Sequence, residues 1–526
     1  MVEFRTHATY DEVPYEGVSI SDTHPNTLAT LATLFGMSPA PVDGCRVLEL
    51  ACAGGANLVP MAAGLPHSEF VGIDLSSRQI ESAAAFATEA GVRNVRFESR
   101  DILEVGEDLG RFDYIIAYGV YSWVAPEVQD RILAICNELL TPEGVAFISY
   151  NTYPGWHMRG AVRDMLLYHT QYFPEITERA EQARALIEFL QEAVNGMASA
   201  SRPSLNAYAG VLSLERSMLE DRPDYYLIHE HLERENRPCY LHEFVDRLKP
   251  HDLHYIGDAN FPGMLGTDLP PQALATIEKI ARTNVALEQY RDFITNRMFR
   301  QSIICRAGHQ LERDLRPEIL TRFRLRSDAI YVDPGEPEFA TSEVKVRTPE
   351  GLVVTLSPGL ARSIASVLID AAPEALTLAE LTSRLTPPVH DPSITGAEVG
   401  AELLQLLARD VVDACVHQPP LVAKPGILPV AHAMARLQAA HGRPLTNLRH
   451  QAVSLDVSAR FLLPLVDGTR TREDLCAALR EGIGQGRTTL HIEGIPDSPA
   501  GLLPWHLDHV VGQALAILAA TAFLEA

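Results

Sequence analysis

The feature that most constrains the fold is a strand-turn-helix-strand passage near the N-terminus. It reads Arg46-Val-Leu-Glu-Leu-Ala-Cys-Ala-Gly-Gly-Ala-Asn57 and then Glu69-Phe-Val-Gly-Ile-Asp-Leu-Ser76. The apolar run Val47 to Leu50 enters Gly54 and Gly55, where the missing Cβ lets a ligand approach the backbone. Asp74 follows at about the interval that separates a ribose-gripping acid from the glycine turn of a dinucleotide fold. A nucleoside-containing ligand is the first expectation.

Strands and helices alternate beyond this passage. Predicted strands run over Arg46 to Cys52, Glu69 to Ser76, Val95 to Asp101, Phe112 to Gly119 and Val145 to Asn151, and a helix from Pro25 to Phe35 precedes them. Such alternation implies a parallel sheet with helices on both faces and ligands at the strands' carboxyl ends. Those ends carry Ala53 to Ala56, Asp74, Asp101-Ile102, Tyr118 to Trp123 and Asn151 to Trp156. The N-terminal arm, with Tyr10 and Tyr15, either packs on the sheet or folds over the ligand.

At 526 residues the chain needs several domains. Its formal net charge of −24 argues against nucleic acid or an anionic membrane as partner and favours a cationic one. The start of the chain shows no apolar leader, the run Val510 to Leu524 is short of the roughly 20 residues that span a bilayer, and seven scattered cysteines suit reduced thiols. A cytoplasmic location is expected.

Glu49 to Gly55, Gly72 to Ser76, Arg100-Asp101-Ile102 and Phe112 to Ile116 resemble successive motifs of class I S-adenosylmethionine-dependent methyltransferases. Tyr10 to Tyr15, Thr23-His-Pro25, Gly119 to Val124 and Tyr150 to Gly160 resemble signatures of one subgroup, the bacterial protein-lysine methyltransferases with a regulatory domain. Two departures are Ala51 in place of the turn's first glycine and Ala56 in place of a later one. The resemblance implies an α/β, Rossmann-like sheet with helical insertions. It also implies S-adenosyl-L-methionine as cofactor and S-adenosyl-L-homocysteine as product. Expected cofactor contacts are Tyr10, Tyr15, Glu49, Ala51, Gly54, Gly55, Asn57, Asp74, Leu75, Gln79, Asp101, Ile102 and Tyr118. Asp74 would take the ribose diol, and Asp101 with the Ile102 amide the adenine edge, although Asp101 also suits a helix cap.

For the acceptor, Tyr121 is the first expectation, since it follows the fourth strand; Asn151 and His157 come next. Trp123, Tyr153 and Trp156 complete an aromatic set able to line a channel for an alkyl-ammonium, or simply to pack under the insertions. His229, His231, Cys239 and His242 lie close together but match no zinc spacing and read as part of a solvated helix, so no metal is expected.

The alternation stops after Asn151 and resumes with predicted strands Leu253 to Gly257 and Phe299 to Arg306. Residues 1–306 are therefore expected to form the methyltransferase domain, with insertions at about 157–240 and 265–298. Beyond it a pattern repeats: Leu356-Ser357, Ala361-Arg362, Leu368-Ile-Asp370, Thr377 to Leu381 and Leu385 recur as Leu455-Asp456, Ala459-Arg460, Leu465-Val-Asp467, Thr471 to Leu475 and Leu479. Two tandem α+β, winged-helix-like units, 307–425 and 426–526, account for it. The expected activity is methylation of a protein or peptide at lysine Nε. Alternatives are a natural-product or ribosomal-peptide O/N-methyltransferase and a non-catalytic cofactor-sensing regulator; a homodimer stays open.

Overall fold

The computed structural model describes residues 13–15, 17–198, 201–265, 269–332, 343–385, 395–490 and 503–525. Strands β1 (Arg46–Leu50), β2 (Glu69–Asp74), β3 (Val95–Ser99), β4 (Phe112–Ala117), β5 (Leu140–Asn151), β6 (Leu253–Asp258) and β7 (Phe299–Arg306) form one sheet in the order β3-β2-β1-β4-β5-β7-β6. The first five strands are parallel, and β7 runs antiparallel to both of its neighbours. The strand order reverses between β1 and β4, which opens a crevice at their carboxyl ends.

Successive residues of each strand face opposite sides, so each strand feeds two cores. Val47, Phe70, Tyr114, Ile116, Val145, Phe147 and Ile303 share one apolar cluster with helix α1 (Pro25–Leu34). Leu48, Val71, Ile73, Ile115, Ala146, Ile148 and Ile304 share the other with two helices, Pro126–Leu139 and Leu241–Leu248. Near-continuous apolar strands are what a sheet covered on both faces demands.

The first insertion is a helical layer: Gly155–Thr170, Ile176–Met197 and Pro203–Glu220, then a single turn, Asp224–Leu227, and a π-helical turn, Ile228–Leu232. His229, His231 and Cys239 are buried here rather than solvated. His231 pairs with Glu215 at 3.1 Å and His229 with Glu233 at 3.4 Å, so the two imidazoles are structural partners of acids.

Three helices recur in each half of the C-terminal repeat, Leu360–Ala371, Leu378–Arg384 and Gly396–Ala408, then Val457–Leu462, Arg472–Gly484 and Pro504–Ala520, and the second half adds Ala433–Ala440. The recurring Thr-x-x-acid is a capping box in both halves, Thr377 with Glu380 and Thr471 with Asp474. The first half joins the sheet's own apolar cluster through Ile364, Leu368, Leu403 and Leu406. It also pairs with α1, since the amides of His417 and Val416 donate to Asn26 Oδ1 (2.9 Å) and Thr30 Oγ1 (3.1 Å). The second half seats Met434 in a cluster with Val59 and Phe86 and bonds Arg443 to Glu89 at 2.9 Å. Among the described residues no helix is long and apolar enough to cross a membrane.

Candidate functional site

The turn after β1 is left-handed at three closely spaced residues: Ala51 (φ 58°), Ala53 (φ 46°) and Gly55 (φ 73°). A Cβ on Gly55 would meet Ala83 at 3.0 Å, Val59 at 3.1 Å and Phe97 at 3.2 Å, so close packing of strand and helix also requires glycine there. Ala51 and Ala53 keep the turn with strain that an alanine methyl imposes at positive φ. Asp74, at the end of the adjacent β2, braces it: its Oδ2 accepts from the Ala53 amide and its Oδ1 from the Ser76 amide, both at 2.9 Å.

Beneath the turn lies Glu49, 4% exposed. Its Oε1 accepts from Asn57 Nδ2 at 2.8 Å, while its Oε2 has no partner; burial pushes the carboxyl up to about 7. Gln79 Nε2 is likewise buried without a partner, and its Oε1 faces Gly54. Leu75 is exposed at the rim, Ile102 is half-buried, and Asp101 caps the turn that follows it by accepting from the Leu103 amide at 2.9 Å. Glu49, Ala51, Gly54, Gly55, Asn57, Asp74 and Gln79 thus converge on one cradle. Leu75, Asp101 and Ile102 extend it along the neighbouring strand ends, and Tyr118 extends it beyond β4. Tyr10 lies outside the described residues.

This cradle fits a nucleoside with an amino-acid tail. A bare buried carboxylate oxygen at Glu49 suits an ammonium, and the partnerless amide of Gln79 offers a donor, since unpaired buried polar atoms are costly unless a ligand completes them. Asp74 retains further lone pairs for a diol.

The aromatic set divides. Tyr121 is fully buried, edge-on to Tyr150 (6.2 Å) and Phe244 (5.5 Å). Burial drives its phenol to about 12, offset by the nearby Arg247 guanidinium. Its ring belongs to the apolar cluster that holds Leu48 and Ile148, and its hydroxyl is buried without a hydrogen-bond partner among the described residues. Asn151 is also buried, its amide donating to Ser122 Oγ (2.9 Å) and its Nδ2 to Asn236 Oδ1 (2.9 Å). Trp156 is buried edge-on to Trp123 at 6.0 Å, with Arg159 over its face at 5.4 Å. Tyr153 stacks on the exposed His157 at 4.0 Å, and His157 Nε2 meets the Tyr240 hydroxyl at 3.1 Å.

Tyr118 packs against Phe147 (6.3 Å) and Phe299 (6.2 Å). Tyr15 lies edge-on to Tyr225 (5.3 Å) and near His229 (5.9 Å). Burial, then the charge of Glu230, raises the phenols of Tyr15, Tyr118 and Tyr226, that of Tyr118 to about 12. In the sequence Glu230 reads as part of a solvated helix, because His-Glu-His-Leu-Glu has the look of a polar surface; the local pattern likewise gives His450 no distinction.

A seven-stranded sheet with one antiparallel strand beside β5 and a nucleoside cradle at the β1 turn defines a class I methyltransferase. Residues 47–144 match the family model described as a methyltransferase domain, 223–306 the predicted methyltransferase regulatory domain, and 428–523 the C-terminal winged helix domain of PKMT. Protein RP789 of Rickettsia prowazekii is 32% identical over 507 residues, covering 93% of this chain and 88% of its own. Protein RP028 of the same organism is 38% identical over 249 residues, covering 47% and 97%. The structure of PKMT2 from Rickettsia typhi in complex with AdoHcy superposes with a TM-score of 0.86 at 28% identity, over 97% of this chain and all of that one. The chain belongs to this family of S-adenosylmethionine-dependent methyltransferases, which joins a regulatory domain and a PKMT-type winged helix to the class I sheet.

Proposed function

We propose that the chain methylates a lysine Nε of a protein. The observation that carries this reading is the likeness to the Rickettsia typhi PKMT2 structure, which extends through the C-terminal units as well as the sheet. The net charge of −24 supports a cationic acceptor. S-adenosylmethionine supplies an electrophilic methyl on a sulfonium and departs as the homocysteine thioether. In the proposed assignment Glu49 holds the cofactor's ammonium and Asp74 its ribose hydroxyls, while Gly54 and Gly55 admit its amino-acid end. Leu75, Asp101 and Ile102 flank the base. These groups bring the partners into reach, which is the main contribution an enzyme makes to such a displacement.

A lysine ammonium, with an ordinary pKa near 10.4, has no free lone pair at neutral pH, so the protein must desolvate it or take its proton. Trp123 and Tyr153, at the edge of the helical insertion, are assigned to the approach of the acceptor, with the buried Trp156 packed behind Trp123. Incubation with isotopically labelled cofactor and a cell lysate, followed by intact-mass and fragment analysis, tests the reading. Added methyl groups on lysine are expected; label confined to small molecules would overturn it in favour of a natural-product methyltransferase.

A further inference from the structure

One cluster of titratable groups stands against the cofactor cradle without belonging to it. The arm that carries Tyr15 runs back over the turn after β1: a Cβ on Gly17 would lie 3.2 Å from Ala56, and the Ile20 amide donates to Asn57 Oδ1 at 3.0 Å. Tyr118 follows β4 on the same side of the sheet. The π-helical turn Ile228–Leu232 meets the arm directly, His229 Nε2–H donating to the Val13 carbonyl at 2.8 Å. Three elements distant in sequence thereby bring Tyr15, Tyr118 and Tyr226 within range of the Glu230 charge, with Tyr15 edge-on to Tyr225 at 5.3 Å.

Glu230 is half-buried and, among the described residues, makes no hydrogen bond or ion pair of its own. The cation facing it, Arg159, is committed elsewhere, to Glu215 at 3.3 Å and to the face of Trp156. His229, the other group facing it, is turned to Val13 and Glu233. A half-buried carboxylate whose facing cation is paired elsewhere is costly, and a π-turn at such a place is a common mark of function.

We propose that Glu230 receives the ammonium of the acceptor lysine in a pocket walled by Tyr15, Tyr118 and Tyr226, beside the cofactor cradle. This rests on the lysine reading above. The rings hold an alkyl-ammonium by their negative faces and the carboxylate supplies the opposite charge, so an uncharged hydroxyl acceptor leaves Glu230 unpaired. As the nitrogen is made ready, its N–H bond breaks and the proton passes to a Glu230 oxygen, leaving the lone pair on nitrogen; the proton later leaves to water. Burial raises the Glu230 carboxyl above its ordinary range, which makes it a better proton acceptor than a solvated carboxylate.

The test uses n-butylammonium as probe and the full-length protein saturated with S-adenosylhomocysteine, with binding followed by NMR. Glu230→Gln is expected to weaken the probe by roughly tenfold or more, as loss of a charge-assisted contact requires. The neutral n-pentanol should bind both proteins alike, S-adenosylhomocysteine affinity should stay unchanged, and Glu230→Asp should recover part of the loss. Equal butylammonium binding by wild type and Glu230→Gln overturns the pocket, as does a fall in S-adenosylhomocysteine affinity, which would mark Glu230 as structural. Intact-mass analysis of acceptors treated with wild type judges the lysine reading separately.

Discussion

His450, in the second C-terminal unit, lies with its Nε2 2.8 Å from Oδ1 of Asn57, in the turn that forms the cofactor cradle. Asn57 Oδ1 also accepts from the Ile20 amide, an obligate donor, which fixes the amide orientation and requires His450 Nε2 to carry a proton. Because Asn57 Nδ2 continues to Glu49 Oε1, a three-residue chain of hydrogen bonds connects the winged-helix unit to the carboxylate whose other oxygen, Oε2, is partnerless.

His450→Ala removes the first link and leaves a buried acceptor short of a donor, a loss of about 1 to 3 kcal/mol. A matching fall in S-adenosylhomocysteine affinity is expected by titration calorimetry, whereas His441→Ala, at the exposed edge of the same unit, should leave it intact. Equal affinities for wild type and His450→Ala would separate the unit from the cradle.

Asp74→Ala should weaken the cofactor more strongly. It removes the proposed ribose acceptor, worth about 1.5 to 3 kcal/mol for a charged hydrogen bond, and also the brace on the Ala53 amide. An unchanged binding isotherm would refute the ribose assignment.

Two opposite pH limbs follow from buried groups. Glu49 sits at about 7 in the fold against an ordinary 4.5, so the folded cofactor-free protein binds more protons between those values; its contribution to stability is present below 4.5 and lost as pH rises through about 7. Burial lowers His450 to about 3 and His432 to about 4 against 6.5, so their contribution is present above 6.5 and lost as pH falls toward 4 and 3. Thermal unfolding of Glu49→Gln without cofactor should therefore exceed wild type at pH 8 and converge with it near pH 5. A gap that does not change with pH would contradict the buried-carboxylate account.

Arg300 is 1% exposed and is ringed by Asp292 (2.8 Å), Glu288 (2.8 Å) and Asp258 (3.3 Å), which joins β7 to β6 and to the helix Asn284–Thr295. Arg300→Met leaves the buried Asp292 and Glu288 without a cation, while Asp258 keeps Arg297 at 2.7 Å, and a loss of about 3 to 5 kcal/mol is expected from the urea midpoint. A shift under about 1 kcal/mol would mean that the ring relaxes by taking up protons.

The sheet was legible because its strands announce themselves locally. Apolar runs such as Val47 to Leu50 and Tyr114 to Ala117 end in small or acidic residues, and the seventh strand was visible as Phe299 to Arg306, its antiparallel sense being set by its neighbours. The repeat was legible for the same reason, since Thr377 to Glu380 and Thr471 to Asp474 cap helices within four residues of sequence. Tyr121 shows where such reading stops. Its place after β4 was correct, but whether its ring faces ligand or core depended on Phe244, which arrives from another helix.

The sequence by itself determined the class I sheet, the small-residue turn after its first strand and the helices of the C-terminal repeat, because each follows from periodicity, turn chemistry or capping over a few neighbours. Only the tertiary structure decided that His450 reaches Asn57 across 393 positions and that the charge of Glu230 acts on the phenols of Tyr15 and Tyr118. It also decided that Tyr121 is core. The physical reason is that burial and partnership of a polar side chain depend on which surfaces pack together, and no local pattern records that.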